Sequence, residues 1–300
     1  MKIGITGARG LVGKVLAARL RKQGHDLVLY TRAVEGRWEE LESAEELRHF
    51  SPEVAGDTDV SGLHALIHLA GEPVLEVWTA AKKEQIRASR IDGTAGLVAA
   101  MEACDAAPKV FVTASGTGFY GDRGDEVLTE ESEHGEGFLS EVSQAWEAEA
   151  MRAQALGIRV VCGRIGMVLG SEGGAAPKLK TLFRWGLGGQ LGSGKQWMPW
   201  VHVEDVAQMF IHAVEQESLV GAVNFCAPEA VRNKDFTKAL ARQVKRPALA
   251  WVPAPVLKLV MGGLSDLVLM SERVESVSLR ESGFEWSYAD LQAALAEVMA

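Results

Sequence analysis

The sequence predicts an α/β fold, a doubly wound parallel sheet accompanied by a smaller, discontinuous C-terminal lobe. Through the first two thirds of the chain, short β-rich runs alternate with segments in which apolar residues recur every three or four positions. Such alternation is typical of βαβ units, which build parallel sheets. After Gly170 the sequence becomes Gly-rich and Trp-containing as far as Trp200, which indicates a second structural unit.

Each element of the first unit is predicted from its own periodicity. Strands are expected at residues 2–6, 26–30, 65–69, 109–113 and 159–164. Helices are expected at residues 13–23, 80–103 and 141–155. The acidic segment 35–48 predicts a short solvated helix or a loop without chemistry.

The later elements predict a divided second unit. A strand and a helix are expected over 201–216, a strand near 221–226, and helices over 234–244 and 256–270. We therefore expect a dinucleotide-binding domain at 1–168, to which 200–228 returns. The C-terminal substrate or lid lobe would comprise 169–199 and 229–300.

Composition restricts the classes of partner. With 47% apolar residues and a net charge of -9, the chain is globular and would be repelled by nucleic acid. Its three cysteines lack the spacing of a disulfide framework or a metal site, so we expect no metal. The longest apolar stretch, 256–270, is too short and too polar to cross a bilayer, and no signal peptide is visible. A cytoplasmic protein with a small-molecule substrate, no nucleic-acid partner and no membrane partner is expected; the oligomeric state stays open.

A glycine-rich turn follows the first strand. Gly7, Gly10 and Gly13 are spaced three apart between that strand and an amphipathic segment. Glycine permits a left-handed turn and a close approach to a pyrophosphate, while the helix N-terminus offers unpaired N–H groups to an anion. The context predicts a Rossmann-type dinucleotide site; the alternative is a turn that only allows close packing. The residues of this predicted site are Gly7, Ala8, Arg9, Gly10, Leu11, Val12 and Gly13.

The end of the second strand indicates which dinucleotide binds. NAD sites usually place an acidic residue there, on the adenosine ribose. Here the strand ends in Thr31 and Arg32, and no acid follows before Glu35. A guanidinium can pair with a 2′-phosphate, and Arg9 could approach the same phosphate. The cofactor predicted is therefore NADP; the alternative is that both arginines merely border solvent.

Further motifs carry a family resemblance. His68-Leu69-Ala70-Gly71, the run from Ser115 to Tyr120-Gly121, and Trp200-Val201-His202-Val203-Glu204-Asp205 accompany the glycine loop. Together they resemble the extended short-chain dehydrogenases/reductases, and within these the atypical "epimerase family" proteins. The resemblance covers nearly the whole chain. It implies that Leu69, Ala70, Gly71 and Arg90 border the cofactor. Arg164 matches a family position that contacts substrate or cofactor; solvation at the strand end is its alternative.

The resemblance fails at the usual proton-transfer pair. In the parent enzymes a Tyr in Tyr-x-x-x-Lys is the general acid/base, and the Lys lowers the pKa of its phenol. The corresponding positions here are Leu139 and Ser143. The parent's Ser or Thr falls on Gly116, which leaves Ser115 or Thr117 as stand-ins. Acid–base assistance must therefore come from other residues.

Several residues remain as candidates for that chemistry. Glu72 follows the third strand, where ligands bind in such folds, so it is a catalytic or substrate-binding candidate; an ion pair with Arg90 is the alternative. Ser115 and Tyr120 are the other catalytic candidates, although Tyr120 could simply pack and donate one hydrogen bond. Thr117 and His202 are substrate-site candidates, and a hydrogen-bonded core histidine is the commoner alternative for His202.

One more glycine-rich segment resembles a phosphate loop. Residues 189–195 have its glycine and lysine spacing, but Gln196 replaces the magnesium ligand and no strand is expected before them, so we treat the match as a coincidence. A mobile lid bearing Trp185, Trp197 and Trp200 is the stronger hypothesis; its alternative is an ordinary loop whose tryptophans pack in the core.

Two functions follow from these observations. The first is an NADP-dependent oxidoreductase or epimerase-like enzyme acting on a small polar or nucleotide-linked substrate, which the cofactor site favours. The second is a non-catalytic NADP(H)-binding redox sensor, which the missing Tyr and Lys favour.

Overall fold

The centre of the molecule is a parallel sheet, as the sequence predicted, and it has seven strands. The structure is a computed structural model and describes residues 1–32 and 45–300. The strands of this sheet are β1 (Lys2–Thr6), β2 (Asp26–Thr31), β3 (Glu46–His49), β4 (Ala65–His68), β5 (Val110–Gly116), β6 (Arg159–Ile165) and β7 (Gly221–Phe225). They lie in the order β7-β6-β5-β4-β1-β2-β3. The direction of winding therefore reverses between β1 and β4, which is where open α/β sheets form a crevice at the carboxyl ends of their strands.

Ten α-helices are described. They are α1 (Leu11–Lys22), α2 (Ala80–Glu102), α3 (Phe138–Met151), α4 (Ala176–Arg184), α5 (Val203–Glu215), α6 (Asn233–Gln243), α7 (Ala254–Met261), α8 (Asp266–Leu269), α9 (Val277–Glu281) and α10 (Leu291–Met299). Helices α1 and α5 pack against each other on one face of the sheet, and α2 and α3 pack together on the other. Alternate strand residues serve the two faces, since Leu27 and Leu29 join the first core while Val28 and Tyr30 join the second.

The C-terminal lobe has a core of its own. Helices α4, α6 and α10 contribute to it, together with buried Trp200 and Phe183. Short strands tie its pieces together: Gly189–Leu191 pairs with Ala250–Val252, and Trp197–Met198 pairs with Val231–Arg232. Between them in the chain, α5 and β7 return to the central sheet and its helices.

Two predicted elements differ in the structure. Residues 35–44 of the predicted acidic helix or loop lie outside the described residues, while its end forms strand β3, which pairs with β2 through Leu29 and Leu47. The predicted helix 256–270 is broken into α7, a 3-10 turn at Gly262–Ser265, and α8. Gly262 has a φ of +55°, which ends α7 because an α-helix needs a negative φ. Within the two described ranges, no helix combines the length and hydropathy of a membrane-spanning segment.

Candidate functional site

The glycine loop after β1 is shaped by close backbone contacts. Gly7 has a φ of +71°, and a Cβ there would lie 2.8 Å from the backbone nitrogen of Ala70. A Cβ on Gly13 would lie 2.3 Å from the carbonyl oxygen of Gly7. Any side chain at these two positions would therefore displace the loop or the neighbouring β4 turn. The glycines bring the β1 and β4 ends together at the reversal point of the sheet.

The loop leads directly into the N-terminus of α1. The Gly10 N–H donates to the Gly7 carbonyl at 2.9 Å, and the first turn of α1 reads Leu-Val-Gly-Lys, without an acid. The positive end of the helix dipole therefore points into the crevice. Ala8 is buried, Leu11 and Val12 are half-buried, and Arg9 is exposed. This cradle fits a pyrophosphate, whose oxygens accept from backbone N–H groups.

The end of β2 carries the predicted cationic group. Thr6 of β1 pairs with Tyr30 of β2, so the residues after both lie at the same edge of the sheet. Thr31 is half-buried, and Arg32 is exposed at this carboxyl edge. The glycine loop with Arg9 follows β1 at that edge, one strand away. Two guanidinium-bearing residues therefore follow adjacent strands where a dinucleotide would lie.

The turn after β4 is held by a hydroxyl that sequence reasoning overlooked. The Thr6 hydroxyl accepts hydrogen bonds from the backbone N–H groups of Leu69, at 3.1 Å, and Ala70, at 3.2 Å. It also bonds to Nδ1 of His68 at 2.7 Å. Burial lowers the pKa of His68 to about 3, so its ring is neutral. Thr6 and His68 thus fix the Leu69–Ala70–Gly71 backbone beside the glycine loop.

Glu72 forms an ion pair, but not with the residue considered in the sequence analysis. Its Oε1 accepts from Nζ of Lys82 at 2.5 Å. Arg90 instead donates to the main-chain carbonyl of Glu72 at 3.0 Å, and its guanidinium lies 5.2 Å from the centre of the Trp146 ring. Burial lowers the pKa of Arg90 to about 10. A Cβ on Gly71 would lie 3.3 Å from the Arg90 guanidinium carbon. Arg90 therefore lies against the turn that, by the family resemblance, borders the cofactor.

Ser115, Tyr120 and Arg164 meet in one buried network. The Ser115 hydroxyl donates to Oε1 of Glu147 at 2.7 Å. Arg164 donates to both oxygens of the same carboxylate, from Nε at 2.9 Å and from Nη2 at 2.8 Å. Its Nη1 donates to the Tyr120 hydroxyl at 3.0 Å, which in turn donates to Asn224 at 2.7 Å. Glu147 is therefore the central acceptor of the network.

This network limits the acid–base chemistry of Tyr120. Burial raises the pKa of its phenol to about 12, because the loss of solvent outweighs the favourable effect of Arg164. The Arg164 guanidinium also lies 3.4 Å from the centre of the Phe119 ring. Tyr120 is therefore a neutral hydrogen-bonding residue at physiological pH. Glu147 was not among the candidates of the sequence analysis, since an acid on a helix gives no local signal of its partners.

Thr117 contacts a carboxyl group from the C-terminal lobe. Its buried side chain lies beside Glu272, which follows α8 in the chain, and slightly lowers the pKa of that carboxyl. Burial raises the pKa of Glu272 to about 7, and Oε1 of this residue has no partner among the described residues. Glu272 was missed because it lies far from Thr117 in sequence. The pair links the lobe to the turn directly after β5.

His202 is satisfied within the protein. Its Nδ1 accepts from the Glu204 N–H at 3.3 Å, which caps α5, and its Nε2 bonds to Glu297 at 2.9 Å. The ring stacks on Tyr288 with centroids 3.8 Å apart. These contacts match the core histidine that the sequence analysis gave as the alternative, and they join α5 to α10.

The remaining predicted features lie in the C-terminal lobe. Residues 189–191 form a strand, and another strand rather than a helix follows Gln196, so the segment does not have the form of a nucleotide phosphate loop. Trp200 is buried, Trp197 is half-buried, and Trp185 is 77% exposed. In the described part of the chain, no three His, Cys, Asp or Glu residues are placed to hold a metal ion.

Comparison with family models divides the chain into two matches. The model described as the NAD dependent epimerase/dehydratase family matches residues 3–225. A domain of unknown function, DUF1731, matches residues 252–298. The second match covers α7 to α10, and thus includes Glu272 and the helix that contacts His202.

Similar proteins carry related names. The chain is 34% identical over 303 residues to the "Epimerase family protein YfhF" of Bacillus subtilis, covering 100% of this chain and 98% of that protein. It is 34% identical to the chloroplastic "Epimerase family protein SDR39U1 homolog" of Arabidopsis thaliana, covering 100% of this chain and 87% of that protein. A crystal structure described as human epimerase family protein SDR39U1 with NADPH superposes with a TM-score of 0.89 at 28% identity, covering 100% of this chain and 99% of that one.

Proposed function

The chain belongs to the NAD-dependent epimerase/dehydratase family, and from this premise we propose that it binds NADP and acts on a small polar or nucleotide-linked substrate. The observation that carries the preference for NADP is the exposed Arg32 at the end of β2, where NAD sites place an acid. Arg9 in the adjacent glycine loop adds a second guanidinium at the same edge. The NADPH in the similar human structure supports the same assignment.

The proposed reaction is of the oxidoreductase or epimerase type. The nicotinamide supplies hydride transfer when bound. This chain lacks the usual Tyr-x-x-x-Lys pair, so proton transfer falls to other groups. We propose Glu72 and Ser115 for that role, with Tyr120 as a hydrogen-bonding neighbour and Thr117 toward the substrate. His202, whose ring is buried and bonded on both nitrogens, keeps the structural role of a core histidine. Glu72 suits this role best, because its carboxylate is 34% exposed and is oriented by Lys82.

A second function, a non-catalytic NADP(H) sensor, is favoured by one observation. The hydroxyls of Ser115 and Tyr120 both donate within the buried network around Glu147 and Arg164, which orders the site without offering a free base. In either case we propose a cytoplasmic protein, since three free thiols in the described chain suit a reducing compartment.

Titration calorimetry tests the choice of cofactor. We expect Arg32→Glu to weaken NADPH binding at least tenfold, because a carboxylate repels the 2′-phosphate, and to change NADH binding by less than twofold. Arg242→Glu, which makes the same charge change at an exposed position of α6, is the matched control. Equal losses for NADPH and NADH would contradict the proposal.

Turnover separates the enzyme from the sensor. Purified protein is incubated with NADPH and fractionated metabolite pools while absorbance at the nicotinamide band is followed. Turnover on one fraction that is lost in Glu72→Gln, with NADPH affinity retained, supports the enzyme. Tight NADPH binding without turnover on any fraction supports the sensor.

A further inference from the structure

One surface of the C-terminal lobe exposes large apolar side chains. We call residues 182–187 and 245–260 the lobe surface. Six of its apolar side chains are more than 60% exposed: Trp185 77%, Leu187 61%, Leu249 83%, Trp251 64%, Leu259 85% and Val260 72%. Among the large apolar residues that the structure describes, only Val77, at 65%, reaches this exposure elsewhere. Isolated exposed apolar residues are ordinary, but a concentration of this kind marks an interaction site.

The chain directly after residues 182–187 is hydrogen-bonded to the second segment of the lobe surface. The strand Gly189–Leu191 pairs in parallel with Ala250–Val252, which places the chain after Leu187 beside the chain after Leu249. The Trp251 indole donates to the Gly192 carbonyl at 2.8 Å. Helix α7 begins two residues after this strand, and it buries Leu257. Its Leu259 and Val260 are left to solvent.

The charge of this region is opposite to that of the protein. Residues 173–203 and 236–265 contain nine of the 31 basic residues and none of the 40 acidic ones, so the rest of the chain carries a net charge of -18. The nine are Lys178, Lys180, Arg184, Lys195, Lys238, Arg242, Lys245, Arg246 and Lys258. Four of them, Arg184, Lys245, Arg246 and Lys258, belong to the lobe surface itself and are exposed. Within the two segments, the exposed apolar side chains therefore alternate with exposed cations, and neither segment contains an acidic residue.

We propose that the lobe surface binds flat onto an anionic lipid bilayer. Tryptophan and aliphatic side chains surrounded by lysine and arginine are the composition that lies at a bilayer interface, with apolar groups in the acyl boundary and cations at the headgroups. A symmetric contact between two copies would instead bring the same basic residues face to face. The expectation of no membrane partner came from the lack of a spanning segment, which binding at a surface does not require.

This inference is independent of the proposed function, because the cofactor crevice lies at the carboxyl edge of the central sheet. A bound lobe surface would hold the substrate lobe at the bilayer, while residues 1–168 and 200–228 together carry a net charge of -12. The partner that this chemistry fits is a negatively charged phospholipid headgroup layer. A free anion would not contact the six apolar side chains.

Vesicle co-sedimentation tests the proposal. The full chain is mixed at low salt with vesicles of phosphatidylcholine alone, or with 30% phosphatidylglycerol. We expect binding only to the anionic vesicles. The double variant Leu249→Glu/Leu259→Glu should reduce it at least tenfold, and each of Lys258→Gln and Arg246→Gln roughly fivefold. Val77→Glu is the matched control, since it changes an equally exposed apolar residue outside the lobe surface and should bind like the unmodified protein.

Other occupants give different results, and each would overturn the proposal. Absence of anionic-vesicle binding, or an equal loss in Val77→Glu, would do so directly. Dissociation of a dimer by Leu259→Glu in sedimentation velocity, without vesicle binding, would assign the surface to a second copy. Soluble polyglutamate that binds as tightly as the vesicles would indicate an acidic protein instead. Retained NADPH affinity in every variant verifies that the chain is folded.

Discussion

Removal of the Glu147 carboxylate tests whether a buried ion pair holds the candidate site together. Arg164 is 5% exposed and Glu147 is 11% exposed, and the guanidinium donates to both carboxylate oxygens. The variant Glu147→Leu leaves this guanidinium buried without its counter-charge and removes the acceptor of the Ser115 hydroxyl. Loss of one partner of a buried pair costs about 3–5 kcal/mol, and the lost hydroxyl bond adds about 1 kcal/mol.

We therefore expect Glu147→Leu to lower the free energy of unfolding in urea by about 4–6 kcal/mol. The double variant Glu147→Leu/Arg164→Met should recover most of this loss, because no buried charge is left unpaired. The control is Glu149→Gln, about half a turn after Glu147 in α3. It breaks an exposed ion pair with Arg152 and should cost less than about 1 kcal/mol.

The reasoning would be refuted if Glu147→Leu cost no more than Glu149→Gln. It would also be refuted if the double variant were as unstable as Glu147→Leu, since the cost would then come from lost packing rather than from an unpaired charge. Urea denaturation followed by tryptophan fluorescence measures all four proteins under the same conditions.

Two further predictions concern the glycine loop and the lobe contact. Gly13→Ala should weaken NADPH binding at least tenfold in calorimetry, because its Cβ would lie 2.3 Å from the Gly7 carbonyl; Gly56→Ala, which meets nothing within 4 Å, should bind normally. Stability should fall as pH rises from about 4.5 to 7, because Glu272 keeps its proton in the folded state up to a pKa of about 7 but loses it near 4.5 when unfolded. Glu272→Gln should remove up to about 1.4 kcal/mol of this decline per pH unit. The assignment would be contradicted if the free energy of unfolding of the unmodified protein in urea did not change between pH 5 and 7.

Much of the fold could be predicted because its signals are local. The β-rich runs from Lys2, Asp26 and Arg159 begin the strands that the structure contains, and each is short, apolar and bounded by a turn. The glycine spacing placed the dinucleotide loop for a similar reason, since Gly7 and Gly13 are needed wherever two backbones approach this closely. The break in the predicted helix 256–270 had a visible signal too, Gly262-Gly263, which apolar periodicity alone did not weigh.

The candidate site was predicted less completely. Residues at the crevice were found where a motif or a strand end identified them, as for Arg32 and Glu72. The pairing of Glu72 with Lys82 rather than Arg90 depended on the course of the loop before α2, which has no periodic signal. Thr6 was passed over because a single hydroxyl in an apolar strand does not reveal which N–H groups it will meet.

By itself, the sequence determined the parallel sheet, the glycine turn at its reversal point and the cationic end of β2, because each depends on residues adjacent in the chain. Only the tertiary structure decided that Glu147 would join Ser115 to Arg164, that Glu272 would reach Thr117 from the far lobe, and that a basic, apolar surface would be assembled from two distant segments. Local periodicity fixes which face of an element is buried. Which charge meets which partner depends on how the elements pack, and burial then sets the pKa and the energy of each contact.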